Sequence, residues 1–401
     1  MKDRNIIISL LKLLSLIILY YVSSKTSVFI YLITLILYNI YTSSFKHITI
    51  KDKLKKTDNN YQKLKIVKYT SICICLVSII FLVLSLLISE TINIFLNISK
   101  TLLPFIIMSI SVVTTPIFNL VIEYLESQNK LKIANRLYYT YYVLEIISFL
   151  IISILVISIL KLPSYVISAL LYTPKLISYI LISAIFLLIL KNQKIEKKED
   201  NNINYKKEIK SILKKDIHFS MIDICQYGNY YISIIVLYLV LSTRYSYDIN
   251  IIEQDLVFIY LYAINIITFI IELILKYIEE KTNNIIIQIL EVFKYFSIIA
   301  IILAITSPLI CKIIFNQSSN SIYIAMLGFL AIFIALYRKT FSLINNKKII
   351  YISLLVGILS KIMLIVPLIN SFYRMGYNLI YGDIISTAIS MLISIIINYI
   401  Y

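Results

Sequence analysis

The chain has 401 residues, 60% of them hydrophobic and only 15% charged, with a mean hydropathy of +0.89; a soluble fold cannot hide that much apolar surface. Its 38 Lys and Arg against 21 Asp and Glu leave a net charge of +17, which on a membrane chain reads as cationic residues gathered in cytoplasmic loops rather than as a nucleic-acid surface. The four cysteines, Cys73, Cys75, Cys225 and Cys311, all fall in apolar runs, which excludes a disulfide framework and a zinc site.

About 20 apolar residues cross a bilayer as a helix. Runs of that kind predict about twelve spans, near 5–22, 27–43, 68–89, 101–125, 138–160, 165–190, 217–243, 255–278, 288–314, 321–344, 349–371 and 377–401. With the N-terminus in the cytoplasm, the inner loops hold 28 of the 38 Lys and Arg and the outer loops six; only Lys12, Lys175, Lys294 and Lys361 lie within spans. That bias puts both termini in the cytoplasm. Lys2 and Arg4 ahead of the apolar run to Val22-Ser23-Ser24 also suit a signal peptide, but cleavage there would leave an odd number of spans.

The expected class is therefore an all-α membrane protein. The longest polar stretch, residues 191–216, carries nine lysines and reads as a basic cytoplasmic linker between six spans in residues 1–190 and six in 217–401. The two halves echo each other. Val67-Lys68-Tyr69-Thr70-Ser71-Ile72 opens the third span, and Phe293-Lys294-Tyr295-Phe296-Ser297-Ile298 opens the ninth; Gln128-Asn129-Lys130 and Asn345-Asn346-Lys347 each precede the fifth span of a half. An even number of spans per half makes the repeats parallel, an arrangement found in transporters with a substrate site between two lobes.

Charges within spans cost about 2.5–3.5 kcal/mol each at a helix centre, so each needs a cavity, a partner or a function. Glu145 in span five and Lys361 in span eleven hold roughly equivalent places in the two halves and are expected to face each other across a central cavity. Lys361 would bind an anionic headgroup, and Glu145 would be a proton or cation site or the ion-pair partner of Lys361. An ion pair that only holds the lobes together fits the same residues. Span seven opens with a polar stripe of Asp223, Gln226, Tyr227 and Tyr230 on one helical face; Asp223 is the candidate coupling carboxylate and the tyrosines candidate sugar contacts, with interhelical hydrogen bonding as the structural alternative. Lys12, and Lys175 beside Pro174, complete a candidate cationic wall, and Pro174 is expected to free a backbone carbonyl inside its span. Pro116 and Pro308 are expected to mark kinks. Glu123, Glu272 and Glu291 lie close to cytoplasmic span ends.

Absences narrow the function. The chain has no Gly-rich phosphate loop, only His47 and His218 as histidines, and no large outer loop with paired carboxylates, so an enzyme is not expected.

Three stretches carry a family resemblance: 57–67, TDNNYQKLKIV, ahead of span three; 123–130, EYLESQNK, followed by Val143-Leu144-Glu145-Ile146; and 343–348, LINNKK, followed by 356–361, VGILSK. In order and spacing the chain resembles the polysaccharide exporters of the multidrug/oligosaccharidyl-lipid/polysaccharide (MOP) flippase superfamily, particularly the stage V sporulation protein B-like branch. The resemblance implies a two-lobed transporter related to the multidrug and toxin extrusion (MATE) fold, with the first and seventh spans lining the cavity. It implies a flippase for a polyprenyl-pyrophosphate-linked oligosaccharide in cell-surface polysaccharide synthesis. The expected partners are that saccharide, membrane lipids, and glycosyltransferases and a polymerase of the same pathway, with no nucleic acid. No cofactor is expected, and proton or Na+ coupling stays open. A MATE-type drug/cation antiporter and a non-transporting scaffold are the alternatives. The excess of Ile, Lys, Asn and Tyr matches an AT-rich bacterial genome, which places the chain in a bacterial cytoplasmic membrane.

Overall fold

In hydrocarbon, every backbone N–H and C=O must find its partner within its own segment, so apolar runs of this length fold as helices. The computed structural model describes residues 2–22, 24–46, 48, 50–57, 59–96, 101–157, 162–191, 217–245, 249–281, 285–315, 321–343 and 347–400. These are helical almost throughout, and no strand occurs among them. The anticipated linker falls at 191–216, of which only Lys191 lies within the described residues.

In chain order the helices are α1 (Lys2–Val22), α2 (Lys25–Lys46), the short α3 (Lys51–Lys56), α4 (Asn60–Leu96), α5 (Leu102–Ser111), α6 (Thr114–Ser127), α7 (Leu131–Ile151), α8 (Ser164–Leu170), α9 (Thr173–Lys191), α10 (Ile217–Leu239), α11 (Ile249–Val257), α12 (Ile264–Lys281), α13 (Ile285–Phe315), α14 (Ser321–Leu343), α15 (Lys347–Arg374) and α16 (Ile380–Ile400). Wider π-turns, Val240–Arg244 and Phe258–Ala263, end α10 and join α11 to α12. Eleven segments among the described residues are long and apolar enough to cross a membrane; α1 carries a shorter apolar stretch, Leu10–Leu19. The chain is a multi-pass membrane protein.

Two of the predicted spans are broken. The fourth is split into α5 and α6 at Val112–Val113, and the sixth into α8 and α9 at Leu171–Tyr172. Each break is followed by a Thr-Pro pair. Thr114 Oγ1 donates to the Ser111 carbonyl at 2.7 Å, and Thr173 Oγ1 to the Leu170 carbonyl at 2.7 Å. Pro116 and Pro174 then fall in the first turn of α6 and α9, where a missing N–H costs nothing. Neither proline therefore interrupts a helix, in contrast to the kink expected at Pro116 and the mid-span opening expected at Pro174. Pro308 does lie inside a helix, α13.

The described residues form two compact units, Met1–Ile36 with Cys225–Tyr401, and Leu37–Ile224. This differs from a division at the linker, because α1 packs on α12 and on the Phe258–Ala263 turn. In the first unit α15 packs closely on α16, and α13 on α14. Small residues let the α15 and α16 backbones approach: Ser390 Oγ donates to the Gly357 carbonyl at 2.8 Å, and Ser394 Oγ to that of Ser353 at 3.0 Å. In the second unit α9 packs on α7 and α6, and α5 on α4 and α8. The Gln128-Asn129-Lys130 stretch is a helix C-cap: Asn129 takes φ 59°, and the Lys130 N–H donates to the Leu125 carbonyl at 3.0 Å.

Candidate functional site

Of the polar residues picked out from the sequence, Glu145 and Lys175 fall in one cluster within the second unit, and Lys361, Gln226 and Tyr230 in another within the first. In the second unit, α7 presents Tyr141 and Glu145 one turn apart, so both point to the same side of the helix. Lys175, in the first turn of α9, donates to Glu145 Oε1 at 2.8 Å. The pair is mostly enclosed, with side chains 15% and 9% exposed. The Lys175 ammonium also lies 4.6 Å from the centre of the Tyr38 ring, close enough for cation–π attraction. Tyr38 neighbours Tyr172 at the α8–α9 break, with ring centres 5.9 Å apart. Tyr141 stacks on Phe118 of α6 at 4.1 Å, and its hydroxyl is 3.4 Å from Thr115 Oγ1 at the α5–α6 break. Both helix breaks thus meet the Tyr141–Glu145 side of α7.

In the first unit, Lys361 on α15 has no exposed surface. Its ammonium bonds Asp383 Oδ1 at 2.5 Å, Ser386 Oγ at 2.9 Å, the Asp383 carbonyl at 3.1 Å, and Thr387 Oγ1. Tyr260, on the π-turn before α12, donates its hydroxyl to Asp383 Oδ2. Both carboxylate oxygens and the ammonium are therefore satisfied. The Tyr260 ring lies 6.0 Å from that of Tyr230 on α10. Tyr230 accepts from Gln226 Nε2 at 3.0 Å, and Gln226 Oε1 accepts from Arg338 Nε at 3.0 Å. A chain of contacts thus runs from buried Lys361 through Asp383, Tyr260, the ring contact with Tyr230, and Gln226 to the half-buried Arg338.

Within its own unit, Glu145 pairs with Lys175, and Lys361 with Asp383. Of the span-seven stripe, Asp223, Gln226 and Tyr230 are buried and Tyr227 half-buried, its ring 6.2 Å from Tyr230. Lys12 is half-exposed on α1, where Ser15 Oγ donates to its carbonyl at 2.7 Å. The surroundings of His218 lie outside the described residues. Sequence reasoning missed Asp383, Tyr260 and Tyr141. Asp383 is the only charged residue in the last apolar run, so the test that selected Lys361 would have found it. Tyr141 lies one turn from Glu145, but nothing in a tyrosine-rich chain distinguishes it.

No protein-family profile matches the chain, and no curated protein matches it in sequence. Solved structures do match over nearly its whole length. One is lipid II flippase MurJ in an inward closed conformation, at 16% identity and a TM-score of 0.63, covering 100% of this chain and 86% of MurJ. A second is an inward-facing MATE-family multidrug resistance transporter of the MOP superfamily, at 11% identity and a TM-score of 0.61, covering 98% and 93%. A third is a MOP-superfamily transporter from Pyrococcus furiosus, at 12% identity and a TM-score of 0.52, covering 98% and 92%. The fold is thus that of the two-lobed, all-helical MurJ and MATE transporters.

Proposed function

We propose that the protein is a flippase that carries a polyprenyl-pyrophosphate-linked oligosaccharide from the inner to the outer leaflet of a bacterial cytoplasmic membrane. The observation that carries this reading is the whole-length likeness to a structure named as a lipid II flippase. The Lys175 cluster supplies suitable chemistry. Its ammonium is held by the Glu145 carboxylate and lies over the face of Tyr38, and a pyrophosphate would offer it more charge than Glu145 does. An inside-negative potential favours export of an anion by about 2.3 kcal/mol per charge per 100 mV, so coupling to an ion would add to a gradient already favourable.

In this reading Lys175 in the second unit is a headgroup contact, and Lys12, Tyr227 and the Gln226–Tyr230 pair are the substrate contacts of the first, each taken within its own unit. Glu145 and Asp223 are the carboxylates for a coupling proton or Na+, and no cofactor is needed. Lys361, closed on Asp383, acts by holding α15 to α16. Glycosyltransferases and a polymerase of the same pathway would supply and consume the substrate. In this reading both termini lie in the cytoplasm, the orientation that the Lys and Arg bias favours.

The test is native mass spectrometry of protein purified from its own host in mild detergent, beside Lys175→Ala. A co-purifying polyprenyl-pyrophosphate saccharide that the variant loses is the expected result. Bulk phospholipid alone in both samples would overturn the reading. The runner-up, a drug/cation antiporter, is favoured by the likeness to MATE transporters, and cation-dependent drug efflux in vesicles would select it.

A further inference from the structure

The two least buried of the eleven apolar spans belong to α4 and α13, the helices that open with the Lys68 and Lys294 echoes. On α4, Lys68 is exposed and stands above Ile72, Leu76, Ile79, Val83 and Leu87, which are 44–60% exposed. On α13, Lys294 is exposed and stands above Ile298, Ile302, Ile305, Leu309 and Ile313, which are 46–74% exposed. Every member of the second stripe lies 226 residues after its counterpart, the same offset as the sequence echo. Steps of three and four residues keep each stripe on one helical face.

From the lysine to the last stripe residue is 19 positions, or about 28 Å at ~1.5 Å per residue, close to the ~30 Å of a bilayer's hydrocarbon. Lys68 lies eight residues after the start of the apolar span Asn60–Ile94 and Lys294 seven after the start of Ile287–Ile314, so each long side chain reaches toward the headgroups while its stripe lies along the lipid tails. Neither lysine has an ion-pair or hydrogen-bond partner among the described residues. Tyr69 and Tyr295 follow them directly, at the level where tyrosines favour the interface. An unpaired cation there, over a smooth apolar wall, matches a lipid with a negative headgroup.

We propose that Lys68 and Lys294 are two equivalent binding sites for an acidic phospholipid, one on each unit, with the acyl chains lying along the stripes. The proposal is independent of what the protein transports. The chain contains no tryptophan, so Ile72→Trp or Ile298→Trp is a background-free reporter one turn from each lysine. The full-length protein is reconstituted into phosphatidylcholine–phosphatidylglycerol vesicles in which one lipid or the other carries brominated chains. At each reporter, brominated phosphatidylglycerol is expected to be favoured about fivefold, the ratio equivalent to ~1 kcal/mol per basic residue near anionic headgroups. Adding Lys68→Gln or Lys294→Gln should bring the ratio close to one while quenching by phosphatidylcholine stays unchanged, which shows that the helix still faces lipid. Leu87→Trp, at the far end of the α4 stripe, should show no preference and needs no lysine substitution. Equal quenching by the two lipids at 72 and 298, a preference that survives the glutamines, or the same preference at 87 would overturn the proposal.

Discussion

Lys361 and Asp383 illustrate how a charge survives within a membrane protein. The ammonium carries three protons and meets four acceptors, while the carboxylate takes the ammonium on one oxygen and the Tyr260 hydroxyl on the other. Removing one partner leaves the other charged and enclosed, which costs about 3–5 kcal/mol for a buried pair. Removing both with apolar residues of similar size leaves no unpaired charge. Lys361→Met and Asp383→Leu singly are thus expected to lower the melting temperature in detergent strongly, and the double variant to recover most of the loss. A double variant as unstable as either single one would show that shape at this site outweighs charge. The sequence marked Lys361 as needing a partner, since a lone lysine in an apolar run stands out. It offered Glu145 as one candidate partner and passed over Asp383, because equivalence between repeats places residues by position, whereas pairing depends on which helices touch.

Helix existence was legible and helix continuity was not. Apolar length predicts each span, but the breaks at Val112–Val113 and Leu171–Tyr172 lie within unbroken apolar runs. Their local signal is a Thr-Pro pair just after the break: Thr173 of Thr173-Pro174, and Thr114 directly ahead of Thr115-Pro116, donate to a carbonyl of the preceding helix, and each proline falls in the first turn of the next helix. The α15–α16 pair makes a sharper prediction. A Cβ on Gly382 would lie 2.6 Å from the Ile369 backbone nitrogen and 2.8 Å from its Cα. Backbone atoms cannot rotate away as a side chain can, so Gly382→Ala must push the two helices apart. The expected cost is about 1–3 kcal/mol, as for overpacking elsewhere, read as an earlier thermal unfolding transition. Gly228→Ala, with nothing within 4 Å of its added carbon, is the matched control and should melt with the wild type.

At the scale of the whole molecule, the distribution of Lys and Arg governs orientation, because translocating cationic loops is disfavoured irrespective of how the helices later pack. Fusions of a fluorescent protein at both termini are therefore expected to fluoresce, and alkaline phosphatase fusions at the same ends to stay inactive. Active phosphatase at either end would mean that the span count is odd or that the orientation is reversed. The count itself turns on α1. As a helix it runs 21 residues, but its apolar stretch, Leu10–Leu19, is short for a membrane crossing.

The sequence by itself determined the membrane class and the place of eleven of the apolar helices, and it set the expectation of orientation and of duplication, because these follow from composition, run length and charge, which are properties of the chain read in order. The echo at Lys68 and Lys294 coincides with a matching pair of exposed apolar stripes, since exposure on a helix follows its own periodicity. Only the tertiary structure decided that Lys175 belongs to Glu145, that Lys361 belongs to Asp383, and that Tyr141, Tyr260 and Arg338 join their networks. Such partners come from different helices, and the crossing of helices is set by small-residue packing and by breaks that no single apolar run records.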